Sequence, residues 1–327
     1  MTSRDKILNL FRSHPDQYLS GQEISRTLDI SRAAVWKQVK ALRDLGFEIE
    51  AKHSAGYRLV AAPDLLLASE IENGLNTRLL GQSVVTHAEI DSTNTEVRRL
   101  AEAGAVEGTV VVADRQSAGR GRLGRRWESP SGVNLYCSIL LRPDIPLHQA
   151  SQLTFLSAVA VAETLNAVCG LDAQVKWPND ILVGGAKISG LLNEMNAETE
   201  QIHFVILGIG VNLNMLAAQF PSELNYRATS ALLETGQPID RQLFLRTLLE
   251  KLDGYYGEFL QDGFIPIRRR WEALCNTINA TVKVDMGGHK LTGTVVGLDP
   301  DGALRLQLED GTIERILAGD VHPVDEQ

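Results

Sequence analysis

Residues 119–127 carry the sequence Gly-Arg-Gly-Arg-Leu-Gly-Arg-Arg-Trp, which limits the local fold more than any other stretch of the chain. The run follows an apolar segment at 109–113, Thr-Val-Val-Val-Ala, that is typical of a buried strand. Glycines let the backbone approach a ligand closely. Arginines supply planar, permanently charged groups that match phosphate and carboxylate geometry. We therefore predict a loop that is mobile when empty and closes over an anionic ligand.

The same run matches the Gly-x-Gly-x-x-Gly spacing of dinucleotide-binding proteins. In those proteins a helix begins directly after the glycines, and backbone N–H groups hold the phosphates. Here the chain continues as Glu-Ser-Pro-Ser-Gly at 128–132, which cannot continue a helix. We therefore disfavour a dinucleotide site, and a solvated basic loop without a ligand remains as the alternative.

Charge is distributed unevenly along the 327 residues, a length that suggests about two or three domains. Residues 1–60 contain ten lysines and arginines against seven aspartates and glutamates, whereas the rest contains 22 against 34. This asymmetry indicates an N-terminal nucleic-acid module on an acidic body. The three cysteines form no metal or disulfide pattern, so we expect reduced thiols and a cytoplasmic protein. The apolar segment 153–171 contains Glu163 and Asn166, which favours a packed helix over a membrane span.

The first 62 residues have the pattern of a winged helix-turn-helix domain. A helix is predicted at 3–13, a second between the capping residue Ser20 and Leu28, and a third between the capping residue Ser31 and Gly46. The third helix carries an apolar face that includes Leu45. Strands are predicted at 47–52 and 57–60, joined by a turn.

Cationic and amide side chains lie on the exposed side of this predicted module. Lysine and arginine neutralise phosphates, and glutamine and arginine can also contact base edges. The predicted DNA contacts are Gln22, Arg32, Lys37, Gln38 and Lys40, with Arg43 on the same face. A solvated charged helix face is the alternative.

Strands and helices alternate in a second predicted domain, residues 65–273. The strands are expected at 84–90, 109–114, 135–141, 174–177, 181–183, 187–196 and 203–212, and the helices at 94–103, 149–168 and 241–260. The Gly184-Gly185 pair forms a hairpin turn. Helices among hairpin-connected strands predict an α/β (α+β) domain with a mixed, largely antiparallel sheet.

Residues 276–327 change pattern again, to short alternating strands separated by tight turns such as Gly287-Gly288 and Asp310-Gly311. This spacing predicts a third domain, a small SH3-like β-barrel.

Four further features of the central domain could contact a ligand. Asp-Ser-Thr-Asn at 91–94 could bind a polar ligand, although a helix cap is the simpler interpretation. Lys-Trp-Pro-Asn-Asp at 176–180 is an unusual segment, but its Asn-Asp pair could serve only to satisfy backbone groups in a turn. Lys187 begins an apolar strand, where it is either solvated or available to neutralise an anion. Gly-Ile-Gly-Val-Asn at 208–212 is a strand whose glycines permit close approach by a ligand.

The order of these segments resembles the biotin–protein ligases. It runs from Asp-Ser-Thr-Asn through Gln116, the Gly-Arg-Gly-Arg-x-Gly-Arg-x-Trp run and Lys-Trp-Pro-Asn-Asp to Lys187. Ser-Arg-Ala-Ala-Val-Trp-Lys at 31–37 makes the chain similar to the bifunctional bacterial form, which is also the repressor of biotin-synthesis genes. The resemblance covers all three predicted domains. It implies formation of biotinyl-5′-AMP from biotin and ATP, followed by transfer of biotin to a lysine of the biotin carboxyl carrier protein of acetyl-CoA carboxylase.

The resemblance also implies roles for individual residues. The implied biotin contacts are Ser92, Thr93, Asn94, Gln116, Arg120, Gly121, Arg122, Trp127, Lys187, Gly190 and Gly208. The implied nucleotide contacts are Arg122, Arg125, Asn179, Asp180 and Lys187, of which Lys187, Arg122 and Arg120 act on the reacting centre. No stable metal site is expected, but Mg²⁺ would arrive with ATP near Asp180. Leu123 stands where some members carry another arginine, and Tyr226 is a guess for the residue that stacks on adenine.

Two other functions stay open at this point. One is a non-enzymatic repressor whose body only senses a ligand, and the other is a lipoate ligase that forms an acyl-adenylate. The implied partners are the carrier protein, operator DNA and, in the presence of ligand, a second copy of the chain. No membrane partner is expected.

Overall fold

A computed structural model describes residues 2–199, 201–224 and 226–324. The chain divides into two compact units, Met1–Leu65 and Leu66–Gln327.

The first unit is the predicted winged helix-turn-helix, with three helices followed by a two-stranded antiparallel hairpin. Its elements are α1 (Ser3–Arg12), α2 (Gly21–Leu28), α3 (Arg32–Asp44), β1 (Glu48–Lys52) and β2 (Gly56–Ala61). Ser20 and Ser31 accept backbone hydrogen bonds at the starts of α2 and α3, as the sequence predicts. Val35, Val39 and Leu42 are buried. The placement of Leu45 on the apolar face was wrong, because α3 ends at Asp44 and leaves Leu45 36% exposed.

The second unit contains a seven-stranded mixed sheet. Its strands are β3 (Ser83–Ile90), β4 (Thr109–Gln116), β5 (Leu135–Leu141), β6 (Ala173–Lys176), β7 (Asp180–Val183), β8 (Ala186–Glu198) and β9 (Gln201–Val211). They lie in the order β3-β4-β5-β9-β8-β7-β6. β3 and β4 are parallel, and the other neighbouring pairs are antiparallel, so the prediction of a largely antiparallel sheet is confirmed.

Helices cover both faces of this sheet. They are α4 (Ala68–Glu72), α5 (Thr93–Glu102), α6 (Gln152–Cys169), α7 (Ala231–Thr235), α8 (Arg241–Asp262) and α9 (Phe264–Leu274). The α5 face holds a small cluster that includes Val97, Val111 and Phe204. On the other face α6 packs against α8 and α9, with Trp271 wholly buried. Within the described residues one stretch, Leu147–Cys169, is apolar and long enough to cross a membrane, but 67% of it is buried inside the fold.

The C-terminal segment forms a second, five-stranded antiparallel sheet. Its strands are β10 (Thr281–Asp285), β11 (Lys290–Leu298), β12 (Leu304–Gln307), β13 (Ile313–Ile316) and β14 (Asp320–Pro323), in the order β13-β12-β11-β10-β14. Its core is continuous with that of the larger sheet. Trp177 is buried between the two and donates a hydrogen bond to the Gly302 carbonyl at 3.3 Å.

Candidate functional site

The arginine loop, residues 119–127, folds back as a narrow turn. Gly121 N–H donates to the Arg125 carbonyl at 2.7 Å, and Arg125 N–H donates to the Arg122 carbonyl at 3.1 Å. Leu123 and Gly124, the two residues between Arg122 and Arg125, have φ values of 57° and 72°, as in a type I′ turn. No α-helix follows the glycines, which agrees with the rejection of a dinucleotide fingerprint.

Each arginine of this loop contacts a different partner. Arg120 pairs with Glu194 at 3.2 Å, and Arg126 pairs with Glu128 at 2.9 Å. Arg122 donates to Asn179 Oδ1 at 3.1 Å. Arg125 pairs at 2.5 Å with Asp320 of β14. The loop is therefore held between the large sheet and the C-terminal sheet.

The start of α5 forms the floor of a cavity beneath the loop. Thr93 donates to Gln116 Oε1 from its backbone nitrogen at 2.9 Å and from its hydroxyl at 3.1 Å. Ser138, wholly buried on β5, lies within 2.7 Å of Thr93 Oγ1 and 2.6 Å of Asn94 Oδ1. Ser92 occupies the N-cap position but makes no capping hydrogen bond with its side chain. The capping interpretation is therefore wrong for Ser92, which lines the cavity.

Trp127 lies flat against two adjacent strands where both carry glycine. Gly190 and Gly210 are paired across β8 and β9. A Cβ at Gly210 would lie 2.6 Å from Trp127 Nε1, and one at Gly190 would lie 3.0 Å from Trp127 Cζ3. A Cβ at Gly208 would meet Asn94 Oδ1 at 2.3 Å. These glycines therefore make room for the site's own side chains.

Lys187 is a largely shielded cation of the site. Its ammonium lies 2.7 Å from Asp180 Oδ1, and its side chain is 18% exposed. The same ammonium is 5.6 Å from the ring centre of Trp127 and 5.2 Å from that of Tyr226, both within range for cation–π attraction. Burial, followed by the charge of Asp180, raises the pKa of Tyr226.

The C-terminal sheet completes one wall of the cavity. Asp320, His322 and Pro323 all line it. Burial opposes ionisation of Asp320, but the hydrogen bond and charge of Arg125 outweigh it and lower the pKa of Asp320. The same ion pair raises the pKa of Arg125.

These parts enclose a cavity of about 340 Å³. It brings together every ligand residue that the sequence predicts: Ser92, Thr93, Asn94, Gln116, Arg120, Gly121, Arg122, Arg125, Trp127, Asn179, Asp180, Lys187, Gly190 and Gly208. Gly210 was predicted to permit close approach but was not named among the ligand contacts, although its alternation with Gly208 places both glycines on one face of the strand. Asp320 was not predicted, because nothing in the sequence indicates a contact across 195 positions.

A second cavity of about 220 Å³ adjoins the first. Four residues line both: Arg126, Trp127, Lys187 and Tyr226. The other lining residues are Glu128, Asn212, Met215, Phe220, Pro221, Leu224 and Ala228, most of them apolar. The chain at Asn212 and Leu213, beside this cavity, is held by buried Asn134, which donates to Asn212 Oδ1 and accepts from Leu213 N–H.

The helix-turn-helix unit presents its own candidate surface. Gln22, Arg32, Lys37 and Lys40 are exposed, and Gln38 is half-buried. Arg43 differs from them, because its guanidinium donates to the Ile49 carbonyl and ties α3 to β1. Trp36 is 58% exposed among these cations, with Lys40 5.7 Å from its ring, and was not predicted as part of this surface.

No group of three or more histidine, cysteine or acidic side chains placed to hold a metal ion occurs in the described ranges. Burial raises the pKa of the Cys137 thiol to about 12 and that of Cys169 to about 11. Both thiols therefore stay protonated at neutral pH.

Family comparisons match all three parts of the chain. Residues 87–212 match the biotin/lipoate A/B protein ligase family, residues 3–58 an HTH domain, and residues 277–322 the biotin protein ligase C terminal domain.

Similar proteins cover nearly the whole length. The bifunctional ligase/repressor BirA of Bacillus subtilis is 40% identical over 320 residues, which is 98% of each chain. The protein of the same name from Escherichia coli is 34% identical over 93% of this chain and 92% of its own. Among solved structures, a biotin protein ligase from Aquifex aeolicus in complex with biotin and ATP is 33% identical, with a TM-score of 0.64. That match covers 74% of this chain and 98% of the other.

Proposed function

The chain belongs to the bifunctional ligase/repressor family of biotin protein ligases, and from this premise we propose that its two adjoining cavities join biotin to ATP. The observation that carries the proposal is the position of Lys187, which lines both cavities. A cation at the junction of two binding sites lies where two anions would meet. The reaction forms biotinyl-5′-AMP, and a carrier-protein lysine then takes the biotin.

Biotin is assigned to the main cavity. Ser92, Thr93, Asn94 and Gln116 supply hydrogen-bonding groups on its floor, where a polar ring could be held. The carboxylate would extend toward Arg120 and Arg122, whose guanidinium groups carry positive charge, and toward Gly121 between them, which adds no side chain. Trp127 covers Lys187 from one side and keeps solvent from the junction.

The purine of ATP is assigned to the second cavity. Its apolar lining includes Trp127 and Phe220, which offer aromatic faces to a base. This places Phe220 and Trp127, together with Tyr226, as candidates for the stacking role that the sequence left open. Asn179, Asp180 and Arg125 then face the phosphates. Mg²⁺ arrives with ATP and needs few protein ligands, because phosphates and water supply most of its coordination. The single carboxylate of Asp180 fits that requirement.

The first step is attack of a biotin carboxylate oxygen on the α-phosphorus of ATP. A P–O bond forms, the bond to the β-phosphate oxygen breaks, and pyrophosphate leaves. Lys187 and Arg122 offset the charge that accumulates when one anion attacks another. In the second step the carrier lysine's amine attacks the biotinyl carbonyl, loses a proton and displaces AMP. The closed arginine loop keeps water from the anhydride between these steps.

Each of the three predicted domains would have its own function. We assign residues 1–62 to operator binding, residues 65–273 to catalysis, and residues 276–327 to closing the cavity through Asp320. The three cysteines are free thiols, which agrees with a cytoplasmic location.

The repressor role would depend on dimerisation. One DNA-binding unit with so small an excess of positive charge neutralises few phosphates, so a monomer should bind DNA weakly. Helix-turn-helix proteins commonly bind two half-sites as dimers. Ordering of the arginine loop by the adenylate would complete a surface beside the sheet edge for a second copy, and the ligand would then raise operator affinity. Transfer of biotin to the carrier protein would reverse the shift.

Sedimentation with and without biotin plus ATP tests the dimer, together with binding to the promoter of the biotin-synthesis genes. A monomer at all ligand concentrations, with unchanged promoter affinity, would rule out the coupling. The ligase activity is tested separately, by biotin-dependent release of pyrophosphate from ATP.

A further inference from the structure

Glu194 of β8 does not line either cavity, yet it contacts residues of the main one. Its Oε2 atom accepts hydrogen bonds from Asn94 Nδ2 at 2.9 Å and from Arg120 Nη2 at 3.2 Å. Its Oε1 atom lies 3.8 Å from Arg98 Nη2. Because Asn94 belongs to the cavity floor and Arg120 to the arginine loop, this single carboxylate joins the two.

The hydrogen bonds continue from Asn94 across the whole floor. Asn94 Nδ2 also donates to the Leu192 carbonyl at 3.0 Å, while its Oδ1 faces the buried hydroxyl of Ser138. The Ser138 hydroxyl is hydrogen-bonded to the Thr93 hydroxyl, and the Thr93 N–H donates to Gln116 Oε1. Gln116 Nε2 then donates at 3.0 Å to Ser129, two residues beyond the loop. The floor is thus connected to both ends of the arginine loop.

The charge of Glu194 matters most for Arg120. The Arg120 side chain is 45% exposed, and its other hydrogen-bond partner in the described part of the chain is the neutral Thr95 hydroxyl at 3.4 Å. Glu194 itself is 21% exposed, so its pairing with Arg120 is less screened than a surface ion pair. Without this carboxylate the guanidinium would keep only the long contact to the Thr95 hydroxyl.

We propose that Glu194 is a positioning residue for the ligase reaction. It orients the Asn94 amide toward the biotin site and holds Arg120 at the wall, so that a filled floor favours a closed loop. The inference rests on the proposed function, since it assumes biotin on the floor and the adenylate beside Arg120.

Two substitutions separate these contacts. Glu194→Gln keeps an oxygen that can accept from Asn94 and removes the charge that faces Arg120 and Arg98. Glu194→Ala removes the hydrogen bond to Asn94 as well as the charge. Glu198→Gln is the matched control, because Glu198 lies on the same strand, is 83% exposed and faces His203 at 3.7 Å.

The two substitutions should have different effects. Glu194→Ala should weaken biotin binding, measured by calorimetry without ATP, by at least ~10-fold. Glu194→Gln should stay within about 3-fold of the wild type for biotin but release the adenylate at least ~10-fold faster, since charge-assisted bonds are the stronger ones. In Glu194→Gln, biotin plus ATP should also protect the arginine loop from trypsin less than in the wild type. Glu198→Gln should match the wild type throughout, and all folded variants should unfold at the wild-type temperature.

Wild-type adenylate retention and loop protection in Glu194→Gln would overturn the inference and leave the proposed function standing. A lower unfolding temperature with equal losses at every step would show a purely structural role and would also overturn it. If Glu194→Ala does not fold, the isosteric Glu194→Gln decides the matter. A wild-type protein that forms no adenylate from biotin and ATP would refute both the proposed function and this inference.

Discussion

Gly210→Ala should damage catalysis while leaving the fold intact. The added Cβ would lie 2.6 Å from Trp127 Nε1 and 2.7 Å from its Cε2 atom. The favourable separation of non-bonded heavy atoms is roughly 3.5 Å, which exceeds these distances by nearly 1 Å. The indole must therefore move away by about 1 Å. Trp127 lines both cavities and packs over Lys187, so this shift changes the junction at which we propose that the two anions meet. A misplacement of about 1 Å can cost on the order of 100-fold in rate, and we expect a loss of about 10- to 100-fold in single-turnover adenylate formation.

The backbone should accept this change. Gly210 lies within a regular strand and is absent from the positions with positive φ, so alanine brings no backbone strain. Thermal unfolding should therefore occur near the wild-type temperature. Gly257→Ala is the matched control, because nothing lies within 4 Å of the Cβ that it adds on α8. It should keep full activity and gain about 0.5–1 kcal/mol of stability.

A second background tests whether the clash with Trp127 is the cause. Trp127→Phe removes the Nε1 atom, and this substitution alone should slow the reaction. Adding Gly210→Ala to Trp127→Phe should then slow it little further, as expected when two changes act through one contact. A Gly210→Ala enzyme as fast as Gly257→Ala would refute the account of how Trp127 is placed.

Three other changes test the cations and the loop. Lys187→Ala and Arg122→Ala should each slow adenylate formation by at least ~10-fold at unchanged unfolding temperature, because each removes a charge from the proposed reacting centre. Trypsin should cut residues 119–127 readily in the free protein and slowly with biotin plus ATP, since exposed ion pairs such as that of Arg125 hold the empty loop weakly. Asp320→Asn should raise the KM for ATP and leave the biotin Kd unchanged. Asp320 holds Arg125 only while its carboxylate is ionised. In the wild type the ion pair is intact above the ordinary pKa of Asp320, 3.8, and is lost only as the pH falls through the lowered pKa. The KM for ATP should therefore not vary through this group near neutral pH.

Each of these expectations has an opposing result. Near wild-type single-turnover rates in both cation variants would remove Lys187 and Arg122 from the reacting centre. Equal tryptic cleavage with and without ligands would contradict the closing loop. An Asp320→Asn enzyme with an unchanged KM for ATP would show that the C-terminal sheet does not help to hold the nucleotide.

Local patterns in the sequence were sufficient for most of the fold. Ser20 and Ser31 cap their helices as predicted, and the strand at 135–141 has the predicted bounds. The short helices α4 and α7 were missed because five residues give too little periodicity to detect. Helix α9 was missed because Pro266 lies in its first turn, where proline is tolerated although it usually signals a break.

The composition of the site could be predicted, but its assembly could not. Short segments such as the arginine loop and Lys187, through the family resemblance that their order carries, identified the residues on which the proposed chemistry depends. The pairing of Arg125 with Asp320 depends on how two sheets pack, which no local pattern encodes. The positions of Gly190 and Gly210 predicted close approach, but the approaching group is Trp127 of the same chain.

Release of pyrophosphate from ATP is the measurement that tests the central claim most directly. Purified protein mixed with ATP should release about one equivalent per protein chain when biotin is added, and lipoate should not replace biotin. Addition of the biotin carboxyl carrier protein should then start continuous turnover and place biotin on its lysine. Binding of biotin without pyrophosphate release would identify a non-enzymatic sensor, and release supported by lipoate would identify a different acyl ligase. Either result would contradict the function proposed for this cavity.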